Sequence, residues 1–216
     1  MISGDLFADT PPGQSWALAP GAWCLPARAR DHAEELLAAV AWVVARAPFR
    51  HMRTPGGRVM GVGLTNCGAL GWVSDEGGYR YTERDPLSGH PWPTMPQGFR
   101  ELAAACAAEG GYPGFAPDAC LINCYEPGVG LSPHQDRDEQ DFAAPIVSVS
   151  LGLPAVFLFG GLRRRDVFRR LTLAHGDVVV WGGPTRLAYH GVQPLRDGAH
   201  AMVGRKRINL TFRQAG

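Results

Sequence analysis

Residues 146–181 read IVSVSLGLPAVFLFGGLRRRDVFRRLTLAHGDVVVW, and this run sets the fold class. It breaks into short apolar pieces at 146–151, 155–159, 168–173 and 178–181, separated by Gly160-Gly161 and a His175-Gly176-Asp177 turn. Short runs rich in Val, Leu and Phe and bounded by glycine are strand signals. No helical segment lies between them, so the strands follow one another through tight turns in an antiparallel sandwich or jelly roll. Extended pieces at 187–192 and 207–213 complete the set. The basic run Arg163–Arg170 reads as a solvated hairpin tip, with a phosphate contact as the other reading.

Upstream the pattern changes. Asp31 followed by Glu34 resembles a capping box, and Leu36, Leu37, Val40, Val43 and Val44 share a helix face that Pro48 closes. A second helix spans 96–110, with Phe99, Leu102, Ala103 and Cys106 on one face and Gly110-Gly111 as its stop. Residues 1–30, broken by Pro11-Pro12-Gly13, Pro20-Gly21 and Pro26, read as a loose leader. Between the helices, 49–96 holds short glycine-punctuated pieces carrying Trp72, Tyr79, Tyr81 and Trp92. Such a segment is either a mobile flap whose aromatics stack on a flat ligand such as a nucleobase, or a satellite aromatic cluster.

Composition narrows the class. A chain of 216 residues, 45% hydrophobic, can bury one core as a single domain. A net charge of +1 argues against a strongly electrostatic nucleic-acid binder while leaving local patches open. Five cysteines without a CxxC pair suit reduced thiols better than a disulfide framework. With no long apolar run and Asp5 and Asp9 near the start, the expectation is a cytoplasmic, monomeric protein without a membrane partner.

Three polar residues stand out on the strands. His134-Gln135-Asp136 follows the turn-forming Pro127-Gly128, and on an extended segment its His and Asp share a face. Alone, an HxD is weak. His190, in Ala188-Tyr189-His190-Gly191-Val192, lies far enough on for several strands to return it beside the pair. Two imidazoles and a carboxylate make the facial triad of non-haem Fe(II), with positions left for substrate and O2. The last strand, Arg207-Ile208-Asn209-Leu210-Thr211-Phe212-Arg213, alternates strictly. Its polar side is either exposed to solvent or an inward cradle for an anion, and a dicarboxylate suits two guanidinium forks.

Asn123-x-Tyr125, His134-x-Asp136, His190 and Arg207-x-Asn209-x-x-x-Arg213 together resemble the AlkB family of Fe(II)/2-oxoglutarate-dependent dioxygenases. Further stretches are similar to its bacterial members: DLFAD (5–9), TPGG (54–57), TNCG-x-LGW (65–72), PWP-x-MPQ-x-F (91–99), PDACLIN (117–123), APIVSVSLGLPA (144–155), HGDVVVWGG (175–183) and NLTFRQAG (209–216). The resemblance implies one domain, 1–216, with a nucleotide-recognition lid at 49–96 and a double-stranded β-helix, or jelly-roll, core at 115–216 supported by helices. It implies Fe(II) on His134, Asp136 and His190, and 2-oxoglutarate held by Arg207 and Arg213 with Asn123, Tyr125 and Asn209. Trp72 would stack on a flipped base opposite His134. Tyr79 and Thr54 would meet the substrate backbone, Asp138 and Glu139 the base edge, and Arg164 the base pocket.

The implied activity is oxidative demethylation of N-alkylated bases such as 1-methyladenine and 3-methylcytosine, consuming O2 and releasing formaldehyde, succinate and CO2. The implied partner is alkylated DNA, single strands ahead of duplex, with RNA as a second polymer. Four positions depart from the bacterial pattern. Leu64 stands for a methionine, Arg58 for a tyrosine, Cys124 for an arginine and Gly130 for a lysine, which bears on substrate preference rather than on the reaction. Two other classes match parts of the pattern: an oxygenase acting on protein or a small molecule, and a non-enzymatic nucleic-acid binding module.

Overall fold

The computed structural model describes residues 13–216, so the DLFAD stretch and Pro11-Pro12 lie outside the described residues. In chain order the elements are β1 (Trp16–Ala19), β2 (Ala22–Leu25), α1 (Ala33–Val44), β3 (Gly63–Gly68), β4 (Gly71–Asp75), β5 (Gly78–Thr82) and α2 (Gln97–Glu109). There follow β6 (Ala119–Tyr125), β7 (Leu131–His134), β8 (Ile146–Gly152), β9 (Ala155–Phe159), β10 (Arg169–Leu173), β11 (Val178–Trp181), β12 (His190–Val192) and β13 (Arg207–Arg213). The major sheet runs β1-β2-β11-β8-β13-β6-β3 and the minor sheet β10-β9-β12-β7, while β4 and β5 pair only with each other. All pairings between these strands are antiparallel, and from β6 onward the chain crosses back and forth between the sheets, staying in the minor sheet only for the β9–β10 hairpin, which gives the jelly roll.

Period-two alternation sorts the major sheet into two layers. Ile208, Leu210 and Phe212 of β13, with Val147, Val149 and Leu151 of β8, pack outward under Leu36, Val40 and Val43 of α1 and Phe99, Leu102 and Cys106 of α2. The opposite face packs against the minor sheet, where Trp181 meets Phe157 and Phe159 with ring centroids 6.1 and 6.2 Å apart. The helices thus stiffen the outside of the sheet whose inner face carries the polar residues. No helix among the described residues is long and apolar enough to cross a membrane.

Several local expectations need correction. From Trp16 onward the supposed leader is the β1–β2 hairpin, and β2 pairs with β11 at the sheet edge. Pro20-Gly21 turns the chain rather than breaking it, since proline presets the second turn position and Gly21 takes φ +76° at the third. Asp31 does not cap α1. The helix begins at Ala33 with His32 at the cap position and no side-chain bond there. The preceding turn serves instead, the Ala33 amide donating to the Arg30 carbonyl at 3.1 Å. Only 190–192 of the expected strand 187–192 is extended, because a 3-10 turn at Gly183–Thr185 takes up the approach.

The segment 49–96 is also divided. β3 pairs along β6 and belongs to the major sheet, whereas β4–β5 stands clear as a hairpin. Gly71 is obligatory at the start of that hairpin, since a Cβ there would sit 2.4 Å from the Trp92 indole. Asn66 of β3 pins the next residue from both sides: its Oδ1 accepts the Trp72 amide at 3.0 Å and its Nδ2 donates to the Trp72 carbonyl at 2.9 Å.

Phe212, fully buried and edge-on to Phe99 at 5.8 Å, joins sheet to helix. Phe212→Ala should cost about 3–5 kcal/mol of stability, read as a lower urea midpoint at unchanged slope.

Candidate functional site

His134 closes β7 and His190 opens β12, and the two are direct cross-strand partners with ring centroids 4.5 Å apart. Asp136 lies beyond the end of β7, so strand periodicity does not place it. Two buried arginines do. Arg186 donates through Nη1 to the Asp136 carbonyl at 2.9 Å. Arg213 donates through Nε and Nη2 to Oδ2 at 3.0 and 2.5 Å. Oδ1 is left 3.5 Å from His134 Nε2 and 3.7 Å from His190 Nε2.

The tautomers follow from the backbone. Nδ1 of His134 faces the Ser132 carbonyl at 3.0 Å and Nδ1 of His190 faces that of Ala188 at 3.1 Å. Each Nδ1 therefore carries the proton, and each Nε2 offers its lone pair toward Asp136. The three ligand atoms lie within 4.8 Å of one another. Two neutral nitrogens and one carboxylate oxygen fit Fe(II).

Burial alone would lift the Asp136 carboxyl, but the Arg213 charge, then His190 and His134, hold it well below the usual carboxylate range. For His190 burial dominates and pushes the imidazole down to about 4 against the pull of Asp136. Desolvation also pulls on His134, yet the hydrogen bond that its protonated form donates to Asp136, and that charge, outweigh it and hold the ring above its usual value. The two imidazoles are thus shifted in opposite directions, His134 up and His190 down.

Both faces of β13 are buried, which removes the solvent-exposed alternative. Arg207 is 1% exposed, yet its Nε and Nη1 have no partner. Nη2 alone donates, to Ser150 Oγ at 3.0 Å, while the guanidinium lies 5.1 Å over the Tyr125 ring. Burial pulls this arginine below its ordinary pKa. A buried cation with two idle donors is costly unless an anion meets it, and a carboxylate fits. Asn209 lies opposite Asn123 across β13 and β6, donates to Ser148 Oγ at 2.8 Å, and accepts from Asn123 at 3.3 Å. The inner face of β13 thus presents a buried guanidinium with room for a carboxylate, on the same strand as the arginine that holds Asp136.

The substrate-side residues are less uniform. Trp72 stacks on Tyr79 (5.6 Å, 14°) and donates from Nε1 to Asp138 at 2.8 Å. Thr54 closes a turn, its Oγ1 accepting the Arg58 amide at 3.2 Å. Ser74 ties that turn to β4 by donating to the Arg53 carbonyl at 2.6 Å. Arg164 is exposed on the β9–β10 tip. Glu139 is not a free carboxylate at a base edge. It is buried, with Tyr81 Oη at 2.7 Å, Arg186 Nη2 at 3.1 Å and Arg213 Nε at 3.2 Å.

The departing positions fall in different places. Leu64 is in the inner core opposite Asn123, and Cys124 packs on the helix side. Gly130 passes so close to the Val192 carbonyl that a Cβ would stand 2.7 Å from it, so a longer residue needs the chain to move. The roles of Asn66, Tyr81 and Arg186 emerge only from the structure, although Tyr81 stands among the aromatics noted in 49–96. Asn66 is fully buried beside the equally buried Thr65 in the strand Gly63–Gly68, and the Asn within that short strand was its local signal.

The model of the 2OG-Fe(II) oxygenase superfamily matches residues 22–213. Two bacterial proteins named alpha-ketoglutarate-dependent dioxygenase AlkB are each 57% identical to this chain. The Salmonella typhimurium protein aligns over 98% of the chain and 97% of its own length, the Escherichia coli one over 98% of both. The solved structure of OsALKBH1 superposes with a TM-score of 0.79 at 25% identity, covering 93% of this chain and all of that one.

The opposed imidazole shifts predict how protons compete with metal, since ligands must be deprotonated to bind. Asp136 stays ionised and His190 stays neutral until about pH 4. Only His134 competes as pH falls through its raised value. Divalent-metal affinity should therefore fall about tenfold per pH unit below that value, one proton per metal. Co(II) titrations across the acid range check this, and a two-proton slope near pH 6 would contradict it.

Proposed function

This chain belongs to the 2OG-Fe(II) oxygenase superfamily and, within it, to the AlkB family, and from that premise we propose that it removes N-linked methyl groups from nucleobases. The observation that carries the proposal is the buried, half-partnered Arg207 on the face of β13 whose far end, Arg213, grips the metal-ligand carboxylate. More distant relatives bear the names DNA N(6)-methyladenine demethylase ALKBH1C and tRNA demethylase abh1, which supports a nucleic acid as the substrate.

Fe(II) and 2-oxoglutarate, when bound with O2, supply hydroxylation of the N-methyl carbon, the cosubstrate leaving as succinate and CO2 and the hydroxymethyl group as formaldehyde. The remaining work belongs to side chains. His134, Asp136 and His190 hold the metal, with Arg213 keeping Oδ2 engaged so that Oδ1 faces the imidazoles. Arg207 would take one carboxylate of 2-oxoglutarate, helped by Tyr125, Asn123 and Asn209, with Arg213 as the guanidinium for the other.

The β4–β5 hairpin with the loop 49–62 acts as the nucleotide-recognition lid over the jelly-roll core at 115–216, in one catalytic domain. Trp72 stacks on the extruded base, held by Asn66 and oriented by Asp138. The exposed Asp138 carboxylate favours cationic bases such as 1-methyladenine and 3-methylcytosine. Tyr79 and Thr54 contact the sugar-phosphate chain, and Arg164 follows it along the β9–β10 tip. Extruding a base costs a few kcal/mol in a duplex and less in a single strand, so single-stranded DNA is the preferred substrate, with RNA accepted. The enzyme acts as a cytoplasmic monomer.

Incubation with single-stranded DNA carrying 1-methyladenine, Fe(II), 2-oxoglutarate and ascorbate should release formaldehyde and succinate in equal amounts. Asp136→Ala should release neither. Trp72→Ala should raise KM for the oligonucleotide by about one to two orders of magnitude, the loss of a stacked base. Succinate without formaldehyde would assign the oxygenase another substrate class.

A further inference from the structure

The β4–β5 hairpin grips the metal-binding loop at two consecutive residues. Trp72 and Tyr81 are direct cross-strand partners, and they donate to Asp138 at 2.8 Å and to Glu139 at 2.7 Å respectively. The two contacts differ in kind. Asp138 is exposed, and its bond orients the indole. The Glu139 side chain is 1% exposed and also lies 3.2 Å from Arg213 Nε and 3.1 Å from Arg186 Nη2.

Both arginines hold Asp136. Arg213 bonds Oδ2 through two nitrogens, and Arg186 bonds the backbone carbonyl at 2.9 Å while reaching the Ala144 carbonyl at the same distance. Two carboxylates, two guanidiniums and one phenol therefore form a closed circuit whose charges cancel, with Asp136 Oδ1 as the atom facing the imidazoles. Arg213 Nε stands between Glu139 Oε1 and Asp136 Oδ2, and the Tyr81 hydroxyl shares Oε1 with it. Without that hydroxyl, Oε1 keeps Arg213 as its nearest donor and draws the guanidinium toward Glu139. Asp136 is then free to turn. In a buried network the loss at one member is felt at the others, because the low local dielectric screens little.

We propose that Tyr81 is a positioning residue which, through Glu139 and Arg213, makes the seating of the β4–β5 hairpin and the orientation of the metal-ligand carboxylate a single event. The hairpin's role as a lid gives this coupling its use, and that part rests on the proposed function. The coupling itself does not require it. Substrate that closes the hairpin sets Asp136, and a hairpin lifted from Glu139 loosens the metal site.

Co(II) is the probe, since it takes nitrogen and oxygen ligands and its visible absorption reports coordination geometry. Tyr81→Phe keeps the ring and removes one hydroxyl. It should weaken Co(II) binding about threefold to tenfold, at or below the roughly 10–100-fold that loss of an outer-shell partner costs, and should alter the visible bands. Ser74→Ala removes a buried hydrogen bond of the same hairpin, to the Arg53 carbonyl, while leaving the Tyr81–Glu139 contact seated, and should leave Co(II) affinity and spectrum as in the wild type. In a Glu139→Gln background, Tyr81→Phe should cause no further loss. Should Glu139→Gln fail to fold, the first two variants decide alone. Wild-type Co(II) affinity and bands in Tyr81→Phe, or equal changes in Ser74→Ala, would overturn the proposal. No oligonucleotide enters the titration, so its failure is distinct from a failure of the formaldehyde assay.

Discussion

Arg213 and Asp136 form an ion pair deep between the two sheets, and the rest of the site is arranged around the demand that pair makes. A buried charge stripped of its partner costs several kcal/mol, so neither residue can be moved alone. The structure meets the demand by crowding. Glu139 and Arg186 supply a second pair, and two backbone carbonyls accept from Nε and Nη1 of Arg186. Among the buried atoms left without a hydrogen-bond partner are two nitrogens of Arg207, and Oδ1 of Asp136 is left facing the two imidazoles. A chain selected only for stability would have filled that inner face with apolar side chains.

The sheets make this arrangement accurate. Strand registers bring His190 opposite His134, Asn209 opposite Asn123 and Arg207 opposite Tyr125. The backbone positions of these six residues are thereby set by the ladders, whereas Asp136, beyond the end of β7, is held by its two arginines. The outer face of the same sheet lies under two helices, so the polar inner row is mounted on a closely packed layer. The hairpin is the exception. It shares no ladder with either sheet and is held by Asn66, Ser74, Trp92, Asp138 and Glu139. Elements with so few ties open first.

Sequence carried most of the core because the core obeys periodicities. The alternation in Arg207–Arg213 and the glycine-bounded runs after Ile146 give the strands and their two faces. Burial of both faces of β13 decides which way the polar one points, and the spacing of His134, Asp136 and His190 names a chemistry. What escaped depends on contacts distant in the chain. Pro20-Gly21 looks the same whether it breaks a leader or turns a hairpin, until β11 is present to pair with β2. Asp31 has the residue type of a cap, but a turn upstream took the role. Glu139 follows Asp138 directly, and nothing local says that one faces solvent and the other meets two arginines. Tyr81 and Arg186 act through partners 58 and about 50 residues away, beyond the reach of any local pattern.

Calorimetric binding of 2-oxoglutarate to the metal-loaded protein, with Arg207→Met alongside, tests the central claim that the inner face of β13 exists to receive a dicarboxylate. Replacing a buried guanidinium with a methionine of similar reach should leave the free protein as stable as before or more so. Affinity for 2-oxoglutarate should fall by roughly 2–5 kcal/mol, since one carboxylate loses its charged partner. A variant that binds 2-oxoglutarate as the wild type does would contradict the account, and Arg207 would then be a structural charge without a ligand.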